Sequence, residues 1–140
     1  MKRTYIDANV LIDAFQGEES VSYRALAVLD DPDRTLVVSD YLRLEVLPKP
    51  TFHKNETEVT FMETVLQSAR ENVTTTPELT AKAIGLASRY DLTPIDALHV
   101  SAAVIAGVDE MVTGEKKTKP MLKVKEVKVV SLHSTETGSK

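Results

Sequence analysis

Four acidic residues lie where the surrounding sequence favours apolar or neutral side chains. Asp7 directly follows the β-forming residues 4–6, and Glu115 directly follows a second short β-forming run, MVTG, at residues 111–114. Glu45 interrupts the apolar helical pattern LRLEVL at residues 42–47, and Asp96 lies in IDALHVSAAVIA, the most apolar stretch of the chain. Burying an unpaired carboxylate costs several kcal/mol, so each of these residues needs a partner.

A divalent cation would be a partner for all four carboxylates at once. The chain offers few buried cationic side chains, and carboxylates brought together raise one another's pKa unless a cation intervenes. Ligand sets made only of oxygen atoms favour Mg²⁺ or Mn²⁺ over zinc or copper. Taken singly, each residue has a simpler interpretation: Asp7 as a helix cap, Asp96 as a first-turn acid favoured by the helix dipole, and Glu45 and Glu115 as surface residues. The sequence predicts a metal site if the four meet.

The alternation of strands and helices predicts how the four residues could meet. Strands are predicted at residues 4–6, 36–38, near 73, 111–112 and 127–132, and helices at 9–16, 20–30, 40–47, 55–69, 77–90 and 95–106. Ser20 is a predicted N-cap, Ser39-Asp40 is predicted to cap the helix that carries Glu45, and Pro48 and Pro50 are expected to end that helix. This order predicts an α/β fold, a three-layer, doubly wound sheet of mainly parallel strands flanked by helices. Such sheets bind ligands beyond the carboxyl ends of their strands.

The composition limits the other possibilities. The 140 residues fit one domain, expected at residues 1–133, with a polar tail at 134–140 that we expect to fray. The absence of cysteine excludes disulfides, zinc–cysteine sites, iron–sulfur clusters and thiol nucleophiles, and it agrees with a reducing compartment. No apolar run approaches the ~18 residues of a membrane span, and the N-terminus does not resemble a signal peptide, so we expect a cytoplasmic protein with no membrane partner.

The charge distribution leaves one question open. The net charge of −4 argues against a protein that binds nucleic acid through its overall charge. Residues 116–128 nevertheless contain six lysines and one acid, Glu126. This segment is either a solvated face or a rim that contacts phosphates.

Four motifs together resemble a known family. TYIDANVLID at residues 4–13, LRLEVL at 42–47, DALHVSAA at 96–103 and VTGE at 112–115 are similar, in this order and spacing, to the four motifs of the PIN domain. The resemblance extends from about residue 5 to residue 132. Single-domain PIN proteins of this size resemble the VapC toxins of prokaryotic toxin–antitoxin pairs, which are RNA endonucleases. The resemblance implies hydrolysis of RNA with Mg²⁺ or Mn²⁺, a cognate antitoxin protein and a homodimer.

The resemblance also implies roles for single residues. Asn9 matches a polar position that supports the site, and Thr113 matches the Thr or Ser that steadies it. Glu115 stands where the family most often has aspartate, which leaves the fourth ligand and a second metal ion open. The residues that match catalytic metal ligands of the family are Asp7, Glu45, Asp96 and Glu115.

Other residues near these motifs could support the site or contact the substrate. His99, three residues after Asp96, is interpreted as a hydrogen-bonded core histidine rather than a general base. The candidates for contact with substrate are Lys116, Lys117, His53 and Lys54. Two alternatives within the same family are an RNA-processing nuclease that is not a toxin and an interaction module whose activity is weakened at Glu115.

A second enzyme class resembles the chain at one motif only. DANVL at residues 7–11 is similar to the D-x-D-x-[TV] loop of haloacid-dehalogenase-type phosphatases, with Asn9 in place of the second aspartate. Those enzymes need that second carboxylate as an acid and base, together with a later lysine and acidic pair. The chain lacks this set, so the phosphatase reading has little support.

Overall fold

A five-stranded, all-parallel sheet forms the middle layer of the computed structural model, which describes residues 1–133. The strands are β1 (Lys2–Ile6), β2 (Arg34–Ser39), β3 (Glu71–Val73), β4 (Glu110–Thr113) and β5 (Val129–Ser131). Their order in the sheet is β3-β2-β1-β4-β5, and every neighbouring pair is parallel. The chain thus winds outward from β1 in both directions, which confirms the predicted doubly wound α/β fold. All carboxyl ends lie at one edge of the sheet.

Helices cover both faces of this sheet. They are α1 (Ala8–Gln16), α2 (Glu19–Leu29), α3 (Asp40–Val46), α4 (Pro48–Phe52), α5 (Glu56–Ser68), α6 (Pro77–Tyr90) and α7 (Pro94–Ala106), with a short 3-10 helix at Pro120–Lys123. One apolar cluster packs α1, α2, α3 and α5 on Ile6 and Val38, and a second packs α6, α7 and the 3-10 helix on Tyr5 and Val37. Neighbouring residues of a strand point to opposite faces, so each strand contributes to both clusters.

The helix boundaries follow mostly from capping. Ser39, Thr76 and Thr93 accept hydrogen bonds from the backbone N–H three residues further on, as expected for N-caps. The prediction for Ser20 was wrong: α2 begins at Glu19, and its N-cap Glu18 makes no side-chain capping bond. Gly107 ends α7 with a φ of 68°, a left-handed conformation that favours glycine.

Two segments differ from the prediction because of proline and packing. Pro48 does not simply stop the chain from being helical; it begins the separate helix α4, where its missing N–H costs nothing in the first turn. The last strand, β5, begins at Val129 and is shorter than the predicted strand at residues 127–132. Val127 precedes it and packs in the apolar cluster formed with α6 and α7. The predicted fraying of residues 134–140 lies outside the described residues. No helix in residues 1–133 has both the length and the apolarity needed to span a membrane.

Candidate active site

A cleft of about 270 Å³ opens at the carboxyl edge of the sheet, between the ends of β1 and β4 and the helices α3 and α7. All four acidic residues singled out in the sequence line it. The lining residues are Asp7, Ala8, Asn9, Glu45, Thr93, Ile95, Asp96, His99 and Glu115. The fold therefore brings together carboxylates that are up to 108 positions apart in the chain.

Each acidic side chain reaches the cleft from a different element. Asp7 directly follows β1, and Glu115 follows the neighbouring strand β4, whose residue Val112 pairs with Ile6. Asp96 lies in the first turn of α7, and Glu45 lies on α3, which directly follows β2. The loop between β4 and Glu115 must approach α1 closely.

Gly114 makes this close approach possible. A Cβ atom at this position would lie 2.6 Å from the Cβ of Asn9 and 2.6 Å from Oδ2 of Asp13. Any larger residue would push the β4 loop away from α1. Glycine is thus required here to keep Glu115 beside Asn9.

Asp7 has one carboxylate oxygen without a partner. The residue is only 3% exposed, and Thr113 Oγ1 donates a hydrogen bond of 2.6 Å to Asp7 Oδ2. Asp7 Oδ1 is buried and makes no hydrogen bond with any atom of residues 1–133. Although Asp7 occupies the N-cap position of α1, its side chain makes no capping bond, so capping does not explain this aspartate. Burial raises the pKa of Asp7 to about 6, and the hydrogen bond from Thr113 opposes that rise.

The other carboxylates of the cleft differ in their surroundings. Asn9 Nδ2 donates a hydrogen bond of 2.7 Å to Glu115 Oε2, and the Glu115 backbone N–H donates to Thr113 Oγ1 at 3.0 Å. Burial raises the pKa of Asp96, and the negative charge of Glu115 raises it further. Asn9 and Thr113 thus each donate a hydrogen bond to a carboxylate of the cleft.

A buried chain of hydrogen bonds leads from the core to Glu45. Ser39 Oγ lies 2.7 Å from Tyr5 Oη, which lies 2.7 Å from His99 Nδ1. The other ring nitrogen, Nε2, lies 2.5 Å from Glu45 Oε1. Ser39 and Tyr5 are fully buried and His99 is 2% exposed. His99 is therefore buried with both nitrogens hydrogen-bonded, as expected, but it also lines the cleft.

The connection between His99 and Glu45 was not predicted from the sequence. A signal was present, because residues three apart on a helix lie on the same face, and Asp96 and His99 have this spacing. The uniformly apolar character of α7 favoured a purely structural reading of the histidine. Tyr5 carried no signal of its own, since an aromatic residue in a strand is ordinary core.

The donor set of the cleft fits a hard divalent cation. Asp7 Oδ1 is a buried, unpartnered carboxylate oxygen, and carboxylate oxygens are the ligands that Mg²⁺ and Mn²⁺ prefer. Within residues 1–133, no three His, Asp or Glu side chains are already arranged as a metal cage. Mg²⁺ is usually held by one or two carboxylates and keeps several waters, so a complete cage of side chains is not required.

The four residues suggested for substrate contact lie outside the cleft. Lys116 and Lys117 are exposed directly after Glu115. His53 lines a neighbouring groove of about 360 Å³, which shares Glu45 with the cleft, and Lys54 is exposed next to it. Lys116 and Lys117 thus adjoin the cleft at Glu115, and His53 lies in the groove that adjoins it at Glu45.

The family model of the PIN domain matches residues 4–119 of the chain. The chain therefore belongs to the PIN domain family, whose members are generally nucleases. This membership excludes the phosphatase reading of residues 7–11. Among curated proteins, none matches the chain.

Solved structures share the fold across the whole domain. A toxin–antitoxin complex from Klebsiella pneumoniae is 21% identical with a TM-score of 0.69, covering 92% of this chain and 97% of that one. VapBC2 from Rickettsia felis, bound to a DNA fragment from its promoter, is 15% identical with a TM-score of 0.70, covering 92% and 98%. DNA-bound VapBC from Salmonella typhimurium is 12% identical with a TM-score of 0.67, covering 94% and 99%. At these identities the similarity establishes the fold.

Proposed function

We propose that this chain is an endoribonuclease that uses Mg²⁺ or Mn²⁺ to hydrolyse RNA phosphodiester bonds, and that it is the toxin of a type II toxin–antitoxin pair. The observation that carries the proposal is the buried, unpartnered Oδ1 of Asp7 in a cleft lined by carboxylates. Membership of the PIN family and the similarity to toxin–antitoxin structures support it.

In this proposal some residues of the cleft bind the cation, and others orient those ligands through hydrogen bonds. Asp7 and Asp96 would hold the cation directly, and Glu45 would contribute a further carboxylate of the same cleft. Thr113 fixes Asp7 by its 2.6 Å hydrogen bond, and Asn9 fixes Glu115. When bound there, a divalent ion would supply a water of lowered pKa and positive charge to offset the negative charge on the phosphate.

One proton arrangement satisfies every member of the hydrogen-bond chain that ends at Glu45. The Leu42 backbone N–H donates to Ser39 Oγ, Ser39 donates to Tyr5, and Tyr5 donates to Nδ1 of His99. His99 then carries its proton on Nε2 and donates it to Glu45. Burial raises the pKa of Tyr5 far above its ordinary value, so the phenol keeps its proton. His99 is thus a positioning residue that orients Glu45.

Removing the Tyr5 hydroxyl should weaken metal binding without touching any ligand. Tyr5→Phe leaves the buried Nδ1 of His99 without a donor, which releases the imidazole that orients Glu45. We expect the Kd for Mn²⁺, measured by isothermal titration calorimetry, to rise roughly 10-fold, as for losses of outer-shell partners. Tyr41→Phe is the matched control, because the Tyr41 hydroxyl bonds Thr75 away from the cleft. Equal Mn²⁺ affinities for the two variants would contradict this role.

Glu115 should contribute less than Asp7 to cleavage. Its carboxylate already accepts a hydrogen bond from Asn9. The side chain is also one methylene longer than the aspartate usual at this position in the family. Because Mg²⁺ requires a nearly ideal octahedral geometry, it tolerates a displaced ligand poorly. We expect Glu115→Gln to lower the cleavage rate roughly 10- to 100-fold. Glu115→Asp, which keeps the charge, should retain most of the activity. A Glu115→Gln variant as inactive as Asp7→Asn would make Glu115 a direct ligand.

We assign residues 1–133 to a single catalytic domain that is located in the cytoplasm. A cognate antitoxin protein would inhibit this domain. A second copy of the chain would be its dimer partner. The absence of cysteine and an RNA substrate agree with the cytoplasm. Light scattering at micromolar concentrations should give twice the mass of the 15.4 kDa chain.

Cleavage of labelled RNA by the purified protein tests the proposal. We expect cleavage with Mg²⁺ or Mn²⁺, loss of cleavage with EDTA, and recovery when the metal is added back. Cleavage that persists in chelator would contradict the metal mechanism. A protein that cuts no RNA under any metal condition would instead fit an interaction module.

A further inference from the structure

The connection between β4 and β5 concentrates positive charge on one side of the molecule. After Glu115, residues 116–128 of this connection carry six of the 17 basic residues of the chain and only one of its 21 acidic residues. All six lysines are exposed. They are Lys116, Lys117, Lys119, Lys123, Lys125 and Lys128, and residues 116–128 are called here the lysine crossover.

These lysines form no ion pairs with other residues of the described range 1–133. Among residues 1–133, Arg3 pairs with Glu71 and Arg34 with Glu110, whereas no lysine of the crossover forms an ion pair. The single acid of the crossover, Glu126, is bound by Arg89 and by the Tyr90 hydroxyl. The positive charges of the crossover are thus available to an external anion.

Buried apolar residues fix the crossover on the protein. Met121, Val124 and Val127 recur every third residue, are at most 8% exposed, and pack in the cluster formed with α6 and α7. The Lys125 backbone N–H donates to the Tyr90 hydroxyl at 3.3 Å, and Met111 N–H donates to the Lys128 carbonyl at 2.8 Å. This anchoring leaves the lysines between the apolar residues on the outside.

The crossover begins at the candidate active site. Because β4 and β5 are parallel, the chain must run from the carboxyl edge of the sheet back to the amino edge before β5 starts. Glu115 lines the cleft, and Lys116 and Lys117 follow it directly. Lys128 lies at the other end, one residue before β5. The lysines therefore form a path that leads away from the mouth of the cleft.

We propose that the lysine crossover binds the phosphates of the single-stranded RNA that flanks the cleaved bond. This inference rests on the proposed function. A cleft lined by four carboxylates repels a polyanion, so affinity for RNA has to come from cationic groups outside it. Lysine ammonium groups act as point charges that bind phosphates without reading sequence. The crossover is continuous with the cleft and supplies such charges, which favours an RNA strand over an acidic protein as the occupant.

The salt dependence of RNA binding tests this proposal. Asp7→Asn protein in EDTA would be titrated into a fluorescently labelled single-stranded RNA at several KCl concentrations, with anisotropy as the signal. We expect the added substitutions Lys119→Gln, Lys123→Gln and Lys125→Gln to reduce the slope of log K against log salt by about 2, at roughly 0.7 per phosphate contact. Affinity at the lowest salt should fall roughly tenfold or more.

A control variant separates local contacts from overall charge. The double variant Arg70→Gln/Lys82→Gln removes two exposed positive charges outside the crossover. It is compared with the double variant Lys123→Gln/Lys125→Gln, which removes the same number of exposed charges within the crossover. Only the crossover pair should make the slope shallower. Equal slopes for the two pairs, or a wild-type slope for the triple variant, would overturn the proposal. If the triple variant bound RNA normally but lost binding to poly-glutamate, the crossover would instead be a docking site for an acidic protein.

The outcome is independent of whether the chain cleaves RNA. A shallower salt slope for the triple variant, without any RNA cleavage by the wild-type protein, would support the binding proposal and refute the nuclease. Cleavage by the wild-type protein, with an unchanged slope for the triple variant, would support the nuclease and refute the binding proposal. In a cleaving protein, the triple variant, with Asp7 restored, should raise KM and leave kcat unchanged, because none of the three lysines lines the cleft.

Discussion

An Asp7→Asn variant should cleave RNA at least about 10³-fold more slowly than the wild-type protein in the presence of Mg²⁺. The substitution removes the charge from a buried carboxylate, one oxygen of which has no hydrogen-bond partner among residues 1–133. A bound metal ion would contribute several kcal/mol to stabilising the transition state. Each 1.36 kcal/mol corresponds to a tenfold change in rate. Single-turnover cleavage of a labelled RNA measures the effect. We expect a comparable loss for Asp96→Asn.

Asp40→Asn is the matched control for this experiment. Asp40 also follows a strand directly at the carboxyl edge of the sheet, but it contacts Asn72 and does not line the cleft. Its replacement should leave the cleavage rate within about twofold of wild type, since surface substitutions of this kind change stability little. Wild-type rates for Asp7→Asn would refute the assignment of the active site. An equal loss in Asp40→Asn would show that the effect is not specific to the cleft.

The same Asp7→Asn variant should be more stable than the wild type when no metal is present. Burial raises the pKa of Asp7 from 3.8 to about 6, so the folded protein holds this proton more tightly than the unfolded chain does. At neutral pH the folded state must carry a buried, desolvated charge that asparagine does not have. The shift corresponds to about 3 kcal/mol of unfolding free energy at roughly 1.4 kcal/mol per pKa unit. Asparagine retains an oxygen that can accept the hydrogen bond from Thr113.

The stability of the wild type relative to Asp7→Asn should fall as the pH rises. Between the unfolded pKa of 3.8 and the folded pKa of about 6, the native state binds more protons than the unfolded state. The contribution of Asp7 to stability is therefore lost as the pH rises through this window, and it stays lost above it. Urea unfolding in EDTA between pH 4 and pH 7 should show the wild type losing this stability relative to Asp7→Asn. A difference that does not change with pH would contradict the burial of the charge.

Added metal should reverse the order of stability of the two proteins. A ligand that binds only the folded state stabilises it by RT ln(1 + [L]/Kd), which is about 4.1 kcal/mol at 1,000 times Kd and so exceeds the deficit of about 3 kcal/mol in the wild type. Millimolar Mn²⁺ should therefore raise the Tm of the wild type and leave that of Asp7→Asn nearly unchanged. Equal shifts for the two proteins would mean that Mn²⁺ binds elsewhere.

Much of the fold could be predicted because its signals are local. Short apolar runs predict the strands, and Thr93 and Pro94 mark the start of α7 through capping and the fixed φ of proline. The acidic residues were recognisable because a charge inside an apolar segment is costly and needs an explanation. The candidate site was therefore largely predictable from residue types and positions.

The remaining features depend on contacts between distant residues. The hydrogen bonds from Tyr5 to His99 and from His99 to Glu45 span 94 and 54 positions of the chain, and no local pattern encodes them. The need for glycine at position 114 arises from the approach of β4 to α1, which only the tertiary fold creates. The anchoring of the lysine crossover likewise depends on the face formed by α6 and α7.

Binding of Mn²⁺, followed by electron paramagnetic resonance of the free ion, tests most directly whether the cleft is a metal site. Wild type, Asp7→Asn and Asp40→Asn would be titrated at neutral pH without RNA, so that the result does not depend on catalysis. We predict that wild type and Asp40→Asn bind at least one Mn²⁺ per chain with the same affinity, and that Asp7→Asn loses this binding. Equal binding by all three proteins, or no binding by the wild type, would contradict the account.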